Sequence, residues 1–268
     1  MGEFDTADLL TVLFVIGIVA EAMTAAVAAG RMRMDLFGVI TLGALTALGG
    51  GTVRDIILDN YPLTWVEQPL YLLIVVIASV VTVRISWLMY QLRKFFMVAD
   101  AVGLSAFVVL GAQTAMSMGH GIIITIVASV ATGVSGGILR DVLSDRVPLV
   151  FRQELYASIA VLGALLYMFL TWVGVDEWAT AIITVLFVFI TRLLSLKFNW
   201  SLPVYEYDDE QVANYDPRSR ISYQVLRRQA KRLPGARKVV RKVRKIQETK
   251  PTSRKKRDDE GPEPEPAT

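Results

Sequence analysis

Two blocks of the chain set glycines and an arginine–aspartate pair inside strongly apolar sequence. The first reads Gly49-Gly50-Gly51-Thr52-Val53-Arg54-Asp55 and is followed by Pro62-Leu63. The second reads Ser135-Gly136-Gly137-Ile138-Leu139-Arg140-Asp141 and is followed by Pro148-Leu149. Residues of these types handle charge rather than make bonds. A guanidinium or a carboxylate is costly in an apolar medium unless it is paired. Glycine is costly inside a helix. A chain that carries both costs twice, at one relative spacing, is building one site from two halves.

Each feature has a plain reading and a sharper one. Small residues let membrane helices approach closely. Alternatively, Gly49, Gly50, Gly51 and Gly133, Gly136, Gly137 weaken their helices near the membrane middle, and the freed carbonyls line a cavity. Thr46 and Thr132 precede the two runs at equivalent positions and offer hydroxyls that replace ion-bound water. Arg54-Asp55 and Arg140-Asp141 either lock the fold as ion pairs or gate a path. Neighbours at i,i+1 leave a helix on different faces, so each arginine is expected to find its carboxylate elsewhere in the chain. Glu21, mid-way along an apolar run, is a functional candidate by default or else a protonated, hydrogen-bonded interior residue. Asp100, nearer an interface, either caps a helix or pairs with a basic side chain.

Bond-making chemistry finds no constellation. The chain has no cysteine and one histidine, His120. Thiolate sites, disulfides, iron–sulfur clusters and multi-histidine metal sites are thereby excluded. Gly133-Val134-Ser135-Gly136-Gly137 fits a nucleophile pattern, but the only base, His120, lies 15 residues earlier on the same helix. That is roughly 22 Å at ~1.5 Å per residue, beyond the reach proton transfer needs. No Lys-Ser/Thr follows the glycines, so they are not phosphate loops. The sequence implies neither an enzyme nor a cofactor.

The elements that carry these residues are membrane spans. The chain is 53% hydrophobic, with mean hydropathy +0.46. Seven apolar runs approach the length of a bilayer-crossing helix: Leu9–Ala29, Leu36–Leu58, Pro69–Tyr90, Phe95–Thr114, Gly121–Leu143, Leu155–Val173 and Trp178–Leu196. The first follows Glu3, Asp5 and Asp8 and contains Glu21, which is unlike a cleavable signal. Residues 1–196 hold 10 Lys+Arg against 14 Asp+Glu, and residues 197–268 hold 18 against 11. This predicts a membrane domain with a basic cytoplasmic tail. Arg31 and Arg33, then Arg93 and Lys94, then Arg146 and Arg152 fall in alternate loops with the tail. The positive-inside rule therefore places the N-terminus outside and the C-terminus inside.

The motifs lie on spans 2 and 5, offset by 86 residues. Three spans separate equivalent points, so the halves insert with opposite topology. The expected fold is all-α: two inverted three-helix repeats, at about 8–90 and 95–173, plus a seventh helix at about 178–196. Arg54-Asp55 falls near the outer end of span 2, and Arg140-Asp141 near the inner end of span 5. Inverted repeats with interrupted helices point to a transport path at the repeat interface.

These blocks, with Met34-Asp35-Leu36-Phe37-Gly38-Val39 before the first and Leu70-Tyr71 or Leu155-Tyr156 after them, resemble a bacterial membrane family named for a glycine-transporter domain. The chain also looks like the prokaryotic trimeric intracellular cation (TRIC) channels over roughly residues 8–195. The resemblance implies a seven-helix subunit, a homotrimer, and one path per subunit between kinked helices 2 and 5 for monovalent cations, chiefly potassium. It carries over onto Gly49, Gly50, Gly51, Arg54, Asp55, Gly136, Gly137, Arg140 and Asp141. Ser135 stands where a third glycine is expected, and Glu21 where an aromatic is expected. The alternatives are a carrier for a small solute such as glycine, and a scaffold that transports nothing.

The tail from Ser219 to Gln247 is basic, with apolar residues at Ile221, Val225, Leu233, Val239, Val240, Val243 and Ile246 and a break at Pro234-Gly235. Asp258–Thr268 reads as disordered. A membrane-tethered tail of this composition suits anionic lipid better than nucleic acid, gaining about 1 kcal/mol per basic residue near the surface. A peptide of residues 219–247 is expected to float with liposomes containing anionic lipid and to stay behind with neutral ones. Equal flotation with both would make the tail a solvated segment.

Overall fold

The computed structural model of the chain describes residues 5–85, 92–151, 155–198 and 200, without the side chains of residues 92–94. These belong to the first of two compact units, residues 1–204. The basic tail, Arg152 and the end of the third expected span lie outside the described residues, as do the side chains of Arg93 and Lys94.

Eight α-helices are described: α1 (Thr6–Arg31), α2 (Leu36–Leu58), α3 (Thr64–Glu67), α4 (Leu70–Ile85), α5 (Leu92–Ser117), α6 (Ile122–Leu143), α7 (Ala157–Val173) and α8 (Glu177–Phe198). A 3₁₀ turn spans Leu149–Phe151. Each of the seven expected apolar runs overlaps one described helix, and α2 has the expected bounds. Five helices (α1, α2, α5, α6 and α8) are long and apolar enough to cross a membrane, while α4 and α7 are shorter. The sequence reading missed α3 and the 3₁₀ turn, which follow the two Pro-Leu pairs.

Polar residues at the ends set the helix starts. Asp5 accepts from the Thr6 N–H at 2.7 Å and closes a capping box with Asp8. Asp35 accepts from the Gly38 N–H at 2.7 Å, and Asp176 accepts from the N–H groups of Trp178 and Ala179. Each satisfies donors that a helix start leaves free.

Helices α1 and α5 form the centre, each with 72% of its apolar window buried, against 44% for α2 and α6. Small residues let them pack. A Cβ at Gly17 would meet the Phe107 ring, and one at Gly103 would meet the Glu21 carboxylate. Around this pair, Phe14, Ile18, Tyr71, Val75 and Phe107 form one apolar cluster. Leu104, Val108, Tyr156, Ile159 and Val188 form another. Large apolar side chains such as Leu73, Ile77, Phe169 and Ile190 stand exposed on the outer helices, as a surface solvated by lipid allows.

The glycine runs were expected either to pack closely or to weaken their helices. Both glycine-bearing helices run unbroken through their glycines, α2 across Gly49–Gly51 and α6 across Gly133–Gly137. In this conformation the glycines serve close packing, with no interruption of the helix. At Gly50 and Gly136 neighbouring backbone fills the space the missing side chain leaves, and at Gly49 and Gly133 neighbouring side chains do.

The α5–α6 contact gives the sharpest stability test. A Cβ at Gly111 would lie 2.6 Å from the Ser129 Cα and 2.7 Å from the Ala128 carbonyl oxygen, whereas one at Gly51 meets nothing within 4 Å. Gly111→Ala is expected to cost about 1–3 kcal/mol through overpacking. Gly51→Ala is expected to stay within about 1 kcal/mol of the parent, on the stabilising side. Reversible denaturation in mixed micelles measures both.

Candidate functional site: a glycine seam between two buried arginines

The seam joins α2 and α6. Gly50 lies so close to the Thr132 carbonyl oxygen that a Cβ there would collide with it, and Gly136 lies in the same way against the Thr46 carbonyl oxygen. Gly50 and Gly136 are 86 residues apart, as are Thr46 and Thr132, so one contact is made twice with the helices exchanged. As the α2 number rises from 46 to 50, the α6 number falls from 136 to 132. The two helices therefore run antiparallel across the seam. At this range Cα–H groups face carbonyl oxygens, a weak but favourable contact.

The threonines turn their hydroxyls back along their own helices. Thr46 donates to the Leu42 carbonyl at 2.7 Å, and Thr132 donates to the Ala128 carbonyl at 2.6 Å. What each presents across the seam is its carbonyl. The other glycines have separate tasks. Gly49 faces the Leu139 side chain, and Gly133 faces Leu104 and Val108 of α5. Gly51 faces open space, and Gly137 faces the Arg140 Nη2 and the Tyr156 hydroxyl.

Beyond one end of the seam lies Arg54. Its Nε and Nη2 donate to Asp55 Oδ1 at 2.8 and 2.6 Å, and Nη2 also donates to the Thr64 hydroxyl at 2.9 Å. Asp55 Oδ2 accepts from the backbone N–H and the hydroxyl of Thr64 at 3.1 and 2.9 Å. Asn60 donates to Asp55 Oδ1 at 3.1 Å. The pair thus fastens the chain after α2 back onto α2 and holds the start of α3. The expectation that each arginine reaches a distant carboxylate fails for Arg54. Diverging Cβ directions do not prevent pairing, because the long arginine stem turns back onto its neighbour.

Beyond the other end lies Arg140, fully buried, which joins three helices. Its Nε donates to the adjacent Asp141 at 2.9 Å. Its Nη1 donates to Asp100 of α5 at 2.8 Å and to the Thr24 hydroxyl of α1 at 2.9 Å. Glu21 of α1 lies 3.5 Å from the same nitrogen. The guanidinium also lies 4.7 Å from the Phe96 ring centroid. Asp141 Oδ2 accepts from the Leu149 N–H at 3.0 Å, the counterpart of the Asp55–Thr64 tie. Here the expectation of distant carboxylates holds, and the neighbouring one is used as well.

The structure thus brings Glu21 together with Arg140 and Asp141, and Arg54 with Asp55, while the glycines and threonines occupy the seam between. Sequence reasoning missed Thr24, Thr64, Asn60 and Arg192. Thr24 was detectable, because it sits three residues after Glu21 and so shares its helix face. Arg192 is a buried arginine in an apolar helix, with its guanidinium 4.5 Å from the Tyr156 ring centroid, and an ionisable residue within a span is itself the signal. Among the described residues, no group of three or more His, Asp or Glu side chains is arranged to hold a metal ion.

Comparison with known proteins agrees with this architecture. The family model described as Glycine transporter matches residues 11–87 and again residues 97–172, with starts at the same 86-residue offset. The chain belongs to this family. It is 34% identical to the UPF0126 inner membrane protein YadS of Escherichia coli K12, over 74% of this chain and 96% of that protein. It is 39% identical to the UPF0126 membrane protein YvgT of Bacillus subtilis, over 71% and 94%. Among solved structures, the TRIC trimeric intracellular cation channel orthologue from Rhodobacter sphaeroides is 36% identical, with TM-score 0.69, over 71% of this chain and 98% of that one. A prokaryotic TRIC channel crystallised in 0.5 M KCl is 34% identical, with TM-score 0.68, over 74% and 100%. The protein is an all-helical, multi-pass membrane protein with a TRIC-like fold.

The two arginines should differ in cost. Removing Arg140 leaves three buried carboxylates without their cation, a loss of about 3–5 kcal/mol. Removing Arg54 leaves Asp55 still bonded to Thr64 and Asn60, so Arg54→Ala is expected to cost less than Arg140→Ala. Equal losses in denaturation would show that the local tie is as important as the interhelical one.

Proposed function

We propose that the protein is a TRIC-like monovalent cation channel, with potassium as the chief permeant ion. It works as a homotrimer in the inner membrane, and each subunit carries its own path along the α2–α6 seam. The observation that carries this reading is the seam itself: two glycines against two threonine carbonyls, in a chain that is 34–36% identical to solved TRIC channels over nearly their full length.

In this reading residues 1–196 are a seven-span membrane domain, made of two inverted three-helix repeats and a last helix. The tail from residue 197 is cytoplasmic, and the N-terminus is outside. The antiparallel pairing of α2 and α6, the doubled family match and the placement of basic loops support that arrangement.

The conformation described is the closed one, since backbone touches backbone at the crossing. Parting α2 from α6 would expose the Thr46 and Thr132 carbonyls, which replace part of an ion's hydration shell. Gly49, Gly51, Gly133 and Gly137 give the helices room to part. Arg54 and Arg140 set the field at opposite ends. A bare guanidinium would repel a cation, and Asp55 at one end and Asp141, Asp100 and Glu21 at the other offset it.

Purified protein in liposomes is expected to give potassium flux that does not saturate and that is lost in the Gly50→Leu/Gly136→Leu double variant. Arg54→Ala and Arg140→Ala are expected to alter conductance or gating, and unchanged behaviour would remove the arginines from the mechanism. Saturable glycine uptake without potassium flux would replace the channel by a carrier.

A further inference from the structure

The two halves of the protein fill equivalent positions with opposite chemistry. At the 86-residue offset, Glu21 of α1 corresponds to Phe107 of α5, and Asp100 of α5 corresponds to Phe14 of α1. The contacts confirm the pairing: Gly17 of α1 accommodates Phe107, and its counterpart Gly103 of α5 accommodates Glu21. Tyr71 and Tyr156 follow the two motifs in the same way. In the first half these positions make an aromatic cluster, with Phe14 and Tyr71 edge to face at 4.6 Å between centroids and Phe107 at 6.3 Å from Phe14. In the second half they hold Glu21, Asp100 and Tyr156 around Arg140. The fold accepts an apolar core at this place, so packing alone does not demand the carboxylates.

Three carboxylates crowd one guanidinium in the second cluster. Glu21 from α1, Asp100 from α5 and Asp141 from α6 face Arg140, also from α6. Tyr156, the N-cap of α7, adds a neutral phenol, and Arg192 of α8 lies over its ring. Phe96 of α5 covers the guanidinium of Arg140, and Arg31 stands 6.0 Å from the same ring centroid at the end of α1. Three carboxylates therefore meet the buried guanidinium of Arg140, with the buried guanidinium of Arg192 over Tyr156. All five groups are at least nine-tenths buried. The cleft beside them, with Gly137, Leu149 and Tyr156 in its walls, is too tight for a water molecule. A dry site with a surplus carboxylate is unfavourable unless a proton removes the charge.

The distances separate the two carboxylates that share Arg140 Nη1. Asp100 Oδ1 is bonded directly to Arg140 at 2.8 Å, while Glu21 stands farther off at 3.5 Å from the same nitrogen and receives the Thr24 hydroxyl at 3.1 Å. Asp100 Oδ2 is buried without a hydrogen-bond partner, as are Arg140 Nη2 and the Tyr156 hydroxyl. The cluster thus holds unused acceptor and donor positions beside an excess carboxylate.

We propose that Glu21, Asp100 and Arg140 form a proton-binding site, occupied in the conformation described, and that loss of its proton loosens α6 from α1 and α5. The proton is exchanged with bulk water when the cluster opens. Glu21 is the residue that carries it, and Asp100 keeps its direct bond to Arg140. With the proton gone, two carboxylates crowd one Nη1 and the α1–α5–α6 junction weakens. The seam follows, since its Gly136 lies one helical turn before Arg140. The site stands on packing and charge alone, and the proposal rests on the channel reading only where flux is measured.

Infrared difference spectroscopy on the wild-type protein in liposomes tests the site without reference to transport. A protonated-carboxyl carbonyl band is expected near neutral pH. It should fade reversibly as pH rises, and the Glu21→Gln variant should lack it. Asp100→Asn, which removes a different carboxylate, is expected to shift the titration rather than abolish the band. No such band at any pH, or a band unchanged in Glu21→Gln, overturns the proposal. So does a band that responds to replacing potassium by a large organic cation at fixed pH, which would mean that a metal ion occupies the site. In the flux assay, wild-type conductance is expected to rise with pH while Glu21→Gln stays flat. A titrating band with pH-independent flux removes the coupling to α6. A titrating band with no flux at any pH leaves the proton site standing and removes the channel.

Discussion

Two helix backbones touch where α2 crosses α6, and most of the structure can be understood from that contact. In lipid the hydrophobic effect contributes little between helices, so association rests on van der Waals approach and polar contacts. Close approach demands that both partners give up their side chains at the crossing, and Gly50 and Gly136 do so. It also demands that neighbouring polar groups stay out of the way. Thr46 and Thr132 meet that demand by bonding their hydroxyls one turn back along their own helices. The same logic recurs where α5 meets α6: Gly111 admits the backbone of Ser129, whose hydroxyl donates across to the Val108 carbonyl at 3.0 Å. Glycine in these helices is thus a packing residue first, and any path for ions must be made by separating surfaces that already fit.

The constraint on charge is separate from the constraint on shape, and the two halves answer it differently. Both arginines begin from the same local device, in which the adjacent aspartate accepts from the guanidinium and from a backbone N–H of the following loop. At Arg54 the device is completed locally, with Thr64 accepting from the guanidinium and Thr64 and Asn60 donating to Asp55. Arg140 extends the device to Thr24, Glu21 and Asp100, so that one side chain connects α1, α5 and α6. Where the first half has an aromatic cluster that needs no ion, the second has a junction whose strength depends on charge state. In a chain whose two halves match one family model, one place is filled by aromatic packing and its counterpart by buried charge.

Much of this was legible in the amino-acid sequence. The apolar runs located the five long apolar helices and the two shorter ones among the described residues, and the repeated blocks located the seam. The equivalence of Thr46 with Thr132 and of Gly50 with Gly136 was legible in the offset, whereas the contact of each threonine with the opposite glycine required the fold. What was not legible follows from how side chains travel. The i,i+1 argument concerned Cβ directions, and a guanidinium several bonds farther out escapes it, so the Arg54–Asp55 pair was missed. The glycine runs were read as weak points because helix propensity is a local property. Their use in packing depends on a partner far along the chain, Thr132 for Gly50 and Thr46 for Gly136. Asp100 was recognised as a carboxylate near an interface, but only the tertiary fold sets it on Arg140. Arg192 was overlooked within a span that otherwise reads as uniformly apolar.

The positions of the arginines relative to the seam limit how the molecule can move. With α2 and α6 antiparallel and Thr46 opposite Gly136, residue 140 stands level with residue 42 of α2, twelve residues from Arg54. At ~1.5 Å per residue this puts the two arginines about 18 Å apart along the seam, inside a hydrocarbon core of about 30 Å. The glycine contacts occupy the turn between, with one arginine a single turn beyond each. A rotation of α6 about the crossing would move Arg140 away from Glu21 and Asp100 while leaving the glycine contact as a pivot. A translation of α6 would break the glycine contacts and the arginine junction together. Arg54 resists neither motion strongly, because its bonds stay within α2 and the segment after it. Arg140, bonded to both central helices, resists both. Whatever opens the crossing must therefore first weaken the bonds of Arg140, which makes the buried carboxylates around it the place where the energy of any conformational change is decided.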